Sequence, residues 1–362
     1  MDLRRQLMES FPDFPFLEPN SPDSAEACLR KVGWLKTGER VLGVERAGEG
    51  NMNLTLRVRT EQGTFIVKQA RPWVEKYDHI PAPWERSTYE RRFYETVARV
   101  PSVAARMPKL LFADDKAHLL VIEDFPGATD CSDVYAGRSL AKDHLAMLGR
   151  FLRVLHNSTE SDPNPDFSNR DLRLLNHMHL FVVPLAEDNG LDLDRFEPGL
   201  SQAAAELQAD TAYRAEVLEL GKRYLSDGRF LLHGDFYPGS WLSTSQGLRI
   251  IDPEFCFQGD REYDLGVPLA HLALSRHPPE AARMLLDSYA TPPTPSPVAR
   301  RNWDPELVAR YAGVEMMRRL IGVAQLPIPP SDGFRKDLLA RSREAVLSGS
   351  LEPIVGLEAR TP

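Results

Sequence analysis

Apolar positions alternate with polar ones through much of the first third of the chain and take up a helical period after it. Leu140, His144, Leu145, Leu148, Phe151, Leu152 and Leu155 recur at spacings of three, four and seven, which predicts an amphipathic helix over 138–157. Further helices are expected over 169–181 and 201–227, and from Val267 onward apart from a Pro-rich interruption at 292–297. Upstream, Arg40–Ala47, Leu54–Arg59 and Thr64–Gln69 read as strands, joined by turns at Gly48–Asn53 and Glu61-Gln62-Gly63. Residues 71–83 read as an irregular loop, and a helix is expected from Trp84 to Arg99. Short strands Leu110–Ala113 and His118–Glu123 flank Asp114-Asp115-Lys116. Phe230–Leu232 and Leu248–Ile251 are short apolar runs around a polar loop at 233–247. Before the strands, a Pro-rich break at 11–22 precedes a short amphipathic helix from Ser24 to Leu35.

The layout is α+β. It predicts a helical extension over 1–36, a small antiparallel β lobe over 37–125 and a larger, mostly α lobe over 126–362. At 362 residues the chain is long enough for two lobes with cores of their own. A net charge of -8 argues against nucleic acid or an anionic membrane as the main partner, though it says nothing about a local basic pocket. Cys28, Cys131 and Cys256 are odd in number and lack ligand spacing, so reduced thiols in a cytoplasmic protein are expected. No leader pattern opens the sequence, and no run approaches the roughly 20 apolar residues of a membrane span.

Several residues carry possible chemistry. The Gly48-Glu49-Gly50-Asn51 turn between strands could bring backbone N–H groups close to a phosphate, or simply close a hairpin. Lys68 ends an apolar strand, and Glu90 follows on a helix among Arg86, Arg91 and Arg92. A strand lysine held by a helix glutamate can present its ammonium to nucleotide phosphates; a solvated charged face is the other reading of Glu90. Leu231-Leu232-His233-Gly234-Asp235 delivers a carboxylate from a buried strand into a loop, and Ile250-Ile251-Asp252-Pro253-Glu254-Phe255 does so again. One carboxylate can accept a proton from a substrate hydroxyl while the other site holds Mg²⁺ against phosphate oxygens. Asp252 and Glu254 are two apart, so an extended segment turns both the same way. His233 reads as a loop-holding ring and Asp264 as a buried carboxylate accepting loop N–H bonds. His156, ending its helix, reads as a cation favoured by the dipole, and His177 and His179 make a poor metal pair. Arg318 and Arg319 interrupt an apolar helix about 100° apart, so they either leave the apolar face or meet a buried anion.

Together these features resemble the aminoglycoside phosphotransferase-like branch of the protein-kinase fold, and several look closer to the 5-methylthioribose kinase family. Gly48–Asn53 resembles that family's glycine loop, Val67-Lys68-Gln69-Ala70 its lysine strand and Val121–Phe125 its hinge. Asp252-Pro253-Glu254-Phe255 resembles its metal motif, and Ala312–Gly322 its paired-arginine helix. The resemblance implies a protein-kinase-like two-lobe fold that binds ATP through Gly48, Gly50, Asn51, Asn53, Lys68 and Glu90, with Glu123 and Phe125 meeting adenine by backbone groups. It also implies Mg²⁺ at Asp252, Glu254 and Ser240, catalysis by Asp235 with Arg318 and Arg319, and a homodimer. The acceptor it implies is 5-methylthioribose or a related pentose at its anomeric hydroxyl; an aminoglycoside, choline or homoserine type of acceptor, or a catalytically silent scaffold, are the alternatives. Two segments depart from the family near the acceptor. Phe236-Tyr237-Pro238 stands where Leu-His-Thr is usual, and Tyr77–Trp84 where a Trp-Pro segment is usual.

Overall fold

The computed structural model describes residues 3–48, 52–160, 166–291, 303–330 and 333–356. The chain divides into two compact units: one runs to Ala128 and takes in Ile251–Phe255, the other holds Thr129–Ile250 and the chain from Cys256 onward. Gly50, Asn51 and the Pro-rich interruption at 292–297 lie outside the described residues.

In the first unit, helices α1 (Leu3–Ser10) and α2 (Pro22–Lys31) precede strands β1 (Val41–Arg46), β2 (Leu54–Thr60), β3 (Gly63–Gln69), β4 (Trp73–Val74) and β5 (Tyr77–Pro81). Helices α3 (Arg86–Val97) and α4 (Pro101–Ala104) follow, then strands β6 (Leu110–Asp114) and β7 (Leu119–Glu123). Five strands form one antiparallel sheet in the order β1-β2-β3-β7-β6. Side chains alternate across it. Leu54, Leu56, Val58, Val67, Leu119 and Val121 therefore share a core with Ala25 and Leu29 of α2. Lys68 points to the opposite face, on the central strand, between Thr55 and Leu120. Its neighbour Gln69 is buried and holds the N-terminal segment, accepting from Leu17 N at 2.9 Å and donating to the Pro15 carbonyl at 3.0 Å. The loop expected over 71–83 is instead partly a small hairpin, with Trp73 opposite Pro81 and Val74 opposite Tyr77.

The second unit begins with β8 (Thr129–Asp130), α5 (Lys142–Ser158), α6 (Arg170–His177), α7 (Leu200–Ala209) and α8 (Thr211–Tyr224). Strands β9 (Phe230–Leu232), β10 (Trp241–Thr244), β11 (Gly247–Ile250) and β12 (Phe257–Gly259) precede α9 (Arg261–Leu274), α10 (Pro279–Ala290), α11 (Pro305–Ile321), α12 (Phe334–Ser348) and α13 (Glu352–Val355). The helix expected over 201–227 is two helices. Asp210 breaks it by accepting from Tyr213 N at 3.0 Å, an N-cap that outcompetes helix continuation. The helix expected over 169–181 is regular only to His177 and then widens into a π-turn, Met178–Val182. Inside the loop expected over 233–247 lies β10, pairing with both β11 and β8. Helix α11 is buried along nearly its whole length. It approaches α9 closely at Gly266, where a Cβ would stand 2.8 Å from Ala312 N and 3.0 Å from the Val308 carbonyl.

Candidate active site

Two polar clusters stand out, one in each unit. In the first, the buried Lys68 ammonium lies 2.6 Å from Glu90 Oε1 and 2.8 Å from Asp252 Oδ1. Burial opposes its charge, but Asp252, Glu90 and Glu254 outweigh that and hold the ammonium well above its ordinary range. The same burial pushes the Glu90 carboxyl up, against the pull of Lys68. Asp252 adopts a left-handed backbone, φ 60°, which aspartate tolerates better than most residues. Its side chain keeps 41% of its surface exposed, so it stays accessible beside its bond to Lys68. Glu254 is the buried member of the pair. Its Oε2 accepts from Asn53 Nδ2 at 2.8 Å and lies 3.6 Å from Arg86 Nε. Burial pushes the Glu254 carboxyl up to about 8, against the attraction of Lys68 and Arg86.

Arg86 ties this cluster to the glycine turn. Fully buried at the start of α3, it donates to Asn53 Oδ1 at 2.8 Å and to the Met52 carbonyl at 2.9 Å. Asn53, expected on the nucleotide, thus has both side-chain groups committed to Arg86 and Glu254. Gly48 opens the turn at φ +79°. At the end of β7, Glu123 N donates to the Lys109 carbonyl at 2.9 Å, and Phe125 presents its carbonyl to Ala128 N at 3.0 Å.

In the second unit, β9 delivers His233, Gly234 and Asp235. Gly234 turns the chain at φ +83°, a conformation that favours glycine. The buried Asp264 carboxylate accepts from His233 N at 2.7 Å and Gly234 N at 3.0 Å, the loop-holding bonds expected of it. His156 does not reach solvent at the end of its helix. It is fully buried, its Nε2 3.1 Å from Asp264 Oδ2 and its Nδ1 3.0 Å from the Tyr289 hydroxyl. The His233 ring packs edge-on to Phe236, and its Nδ1 lies 3.4 Å from Asp235 N. Ser240 is also buried and donates its hydroxyl to the Asp235 carbonyl at 2.9 Å, closing the loop.

Both arginines of α11 turn inward. Arg319 donates from Nε to Glu315 Oε1 at 2.6 Å and sets Nη2 3.7 Å from Asp235 Oδ1. Arg318 donates to Glu315 Oε2 at 3.2 Å. Burial works against a charge on Glu315, but Arg318 and Arg319 outweigh it and hold the carboxyl well below the usual range.

A sequence model of the phosphotransferase enzyme family matches residues 43–305, most of the chain and both clusters except the α11 residues. The chain belongs to the phosphotransferase enzyme family. It is a phosphotransferase of the small-molecule kinase kind, with an alcohol as acceptor. Among similar curated proteins, the methylthioribose kinase of Geobacillus thermodenitrificans is 27% identical over 92% of this chain and 91% of its own. That of Exiguobacterium sibiricum is 27% identical over 69% of this chain and 65% of its own. Among solved structures, a choline/ethanolamine kinase family protein from Mesorhizobium loti superposes with a TM-score of 0.52 at 17% identity, over 92% of this chain and 98% of its own. The choline kinase of Streptococcus pneumoniae gives 0.50 at 16% identity, over 90% and 99%. These likenesses establish the α+β, protein-kinase-like fold, with an antiparallel sheet in the first unit and a mostly helical second unit.

No group of three or more His, Cys, Asp or Glu side chains among the described residues is gathered to hold a metal unaided. Mg²⁺ does not need one, since it takes one or two carboxylates and completes its shell with water and phosphate oxygens. The half-exposed Asp252 carboxylate fits that requirement, with Glu254 two residues on. Sequence reasoning gave no role to Arg86 or Glu315. The Glu315 to Arg319 spacing of four is the one signal available, and it is indistinguishable from an exposed helix pair.

Proposed function

We propose that this protein transfers the γ-phosphoryl group of ATP to the anomeric hydroxyl of 5-methylthioribose or a closely related pentose. The observation that carries this reading is the acceptor-side charge balance. Arg318 and Arg319 lie buried against Glu315 and beside Asp235, so the four charges cancel and favour a neutral polyol over a cationic amine. The methylthioribose kinases that the chain resembles over most of its length support the same acceptor.

In this reading Asp235 orients the attacking hydroxyl and takes its proton as the new P–O bond forms and ADP leaves. Lys68, held by Glu90, positions the α- and β-phosphates, and the turn from Gly48 to Asn53 covers the nucleotide. Glu123 and Phe125 meet adenine through their backbones. Arg319, with Arg318, offsets charge on the transferring group. Asp252, with Glu254 and Ser240, would hold Mg²⁺, which when bound supplies positive charge to the phosphate oxygens. The transition state is loose, so positioning and preorganised charge do most of the work.

The test is ADP release with Mg-ATP across methylthioribose, ribose, choline, homoserine and kanamycin, each beside an Asp235→Ala control. Turnover confined to methylthioribose is expected, and would make Tyr77–Trp84 and Phe236-Tyr237-Pro238 tolerated variation. Turnover on another acceptor with methylthioribose inert would overturn the substrate and make those segments the mark of a changed specificity.

A further inference from the structure

The arginines of α11 do not hold their own position. Glu315 is 1% exposed, and each of its oxygens is engaged by an arginine, Oε1 by Arg319 and Oε2 by Arg318. Behind it lies His271 of α9, fully buried, with Nε2 3.1 Å from Glu315 Oε1. The other ring nitrogen, Nδ1, is 2.5 Å from the hydroxyl of Tyr135, itself buried in the 3-10 turn Ser132–Ala136. A carboxylate can only accept, so the imidazole donates from Nε2; burial disfavours its charged form, and the neutral ring then accepts the Tyr135 proton at Nδ1. On its far side Arg319 packs over the Tyr237 ring, its guanidinium carbon 4.7 Å from the ring centroid.

The result is a guanidinium fixed on two sides with one end left over. Arg319 Nη2 is buried and has no hydrogen-bond partner among the described residues. At 3.7 Å from Asp235 Oδ1 it is too far for a hydrogen bond, so the two groups do not close into a bidentate pair. An arginine free to move would close that gap. The pull of Glu315 from behind keeps it open, leaving an unsatisfied donor beside the carboxylate.

We propose that Tyr135, His271 and Glu315 form a buried positioning relay that holds Arg319 short of Asp235, keeping its free N–H for an oxygen of the bound acceptor or of the transferring phosphoryl group. This rests on the kinase reading above for its consequence in turnover, and on the geometry alone for the relay. All the members lie in the second unit. Their loss therefore acts on the acceptor and leaves the Lys68, Glu90 and Asp252 cluster as it is.

His271→Leu removes both relay bonds, whereas His271→Asn retains an N–H donor and a C=O acceptor on one short side chain. In His271→Leu, kcat/KM for the acceptor is expected to fall tenfold to a hundredfold, as for a displacement of about an ångström at a reacting group, with KM for ATP unchanged. His271→Asn is expected to recover most of that loss. A second readout needs no turnover. The ¹⁵N–¹H signal of Arg319 Nε, assigned by its absence in Arg319→Lys, is expected to be protected from solvent exchange in the wild type and in His271→Asn, and lost in His271→Leu. If the leucine and asparagine variants behave alike in both measurements, the relay is wrong. If no acceptor turns over but the Arg319 signal follows the pattern above, the kinase reading fails and the relay stands.

Discussion

At the scale of single residues, the first-unit cluster depends on charges that cannot be removed singly without cost. Lys68 and Glu90 are both almost fully buried, and breaking such a pair from one side leaves an uncompensated charge. Lys68→Met is expected to lower stability by about 3 kcal/mol, read as a fall in the urea midpoint, with Lys68→Met/Glu90→Gln recovering much of the loss. Were the double variant no more stable than the single one, the two groups would not be coupled. Asp235 differs because the work proposed for it is chemical. Asp235→Ala is expected to reduce kcat by about a hundredfold or more while nucleotide affinity by calorimetry stays near wild type. A large loss of ATP affinity in that variant would remove Asp235 from the role of base. Both residues were legible in the sequence because an apolar strand running into a lone charged residue is a conspicuous pattern. Arg86 and Glu315 were not, since each is a charged residue on a helix with other charges nearby, and burial alone separates them from a solvated face.

At the scale of elements, the period of the apolar residues located most helices and strands, and local competition accounts for the misses. Asp210 capped a helix in the middle of a continuous helical pattern. Strand β10 lay unread between a tight turn and a short apolar run because Trp241–Thr244 is too short to establish alternation. Helix α11 shows what packing adds. It lies against α9 at Gly266 and against α12 at Gly313, where a Cβ would stand 2.8 Å from the Ser342 carbonyl. Gly266→Ala is expected to destabilise by about 1–3 kcal/mol through forced separation of the helices, seen as a lower Tm. Because Arg318 and Arg319 ride on α11, the same variant should lose acceptor turnover before it loses nucleotide binding.

At the scale of the whole molecule, the buried relay predicts acid lability. Burial holds His271 down at about 4, among Tyr135, Tyr237, Glu315, Arg318 and Arg319. A base depressed in the folded state stabilises fully above its unfolded pKa and loses that contribution as pH falls through the folded one. Glu315, held below its ordinary range, acts in the same direction. Stability is therefore expected to fall between pH 6.5 and about 4, by about 3 kcal/mol from His271 alone, with a shallower slope in His271→Asn. Equal slopes in the two proteins would exclude His271 as the source. Mg-ATP at about a hundred times its Kd should raise stability by about 2.7 kcal/mol, and a chelator should abolish turnover. By itself the sequence determined the α+β layout, the strand lysine, the HGD and DPEF loops and the inward arginine pair as one alternative, because those depend on local order and period. Only the tertiary structure decided that Asn53 serves Glu254 and Arg86, and that Glu315 and His271 stand behind Arg319. Those partners are 33 to 201 residues apart for Asn53 and 44 for His271 and Glu315. No local pattern encodes a pairing across such distances; packing brings the groups together, and burial then makes each pairing obligatory.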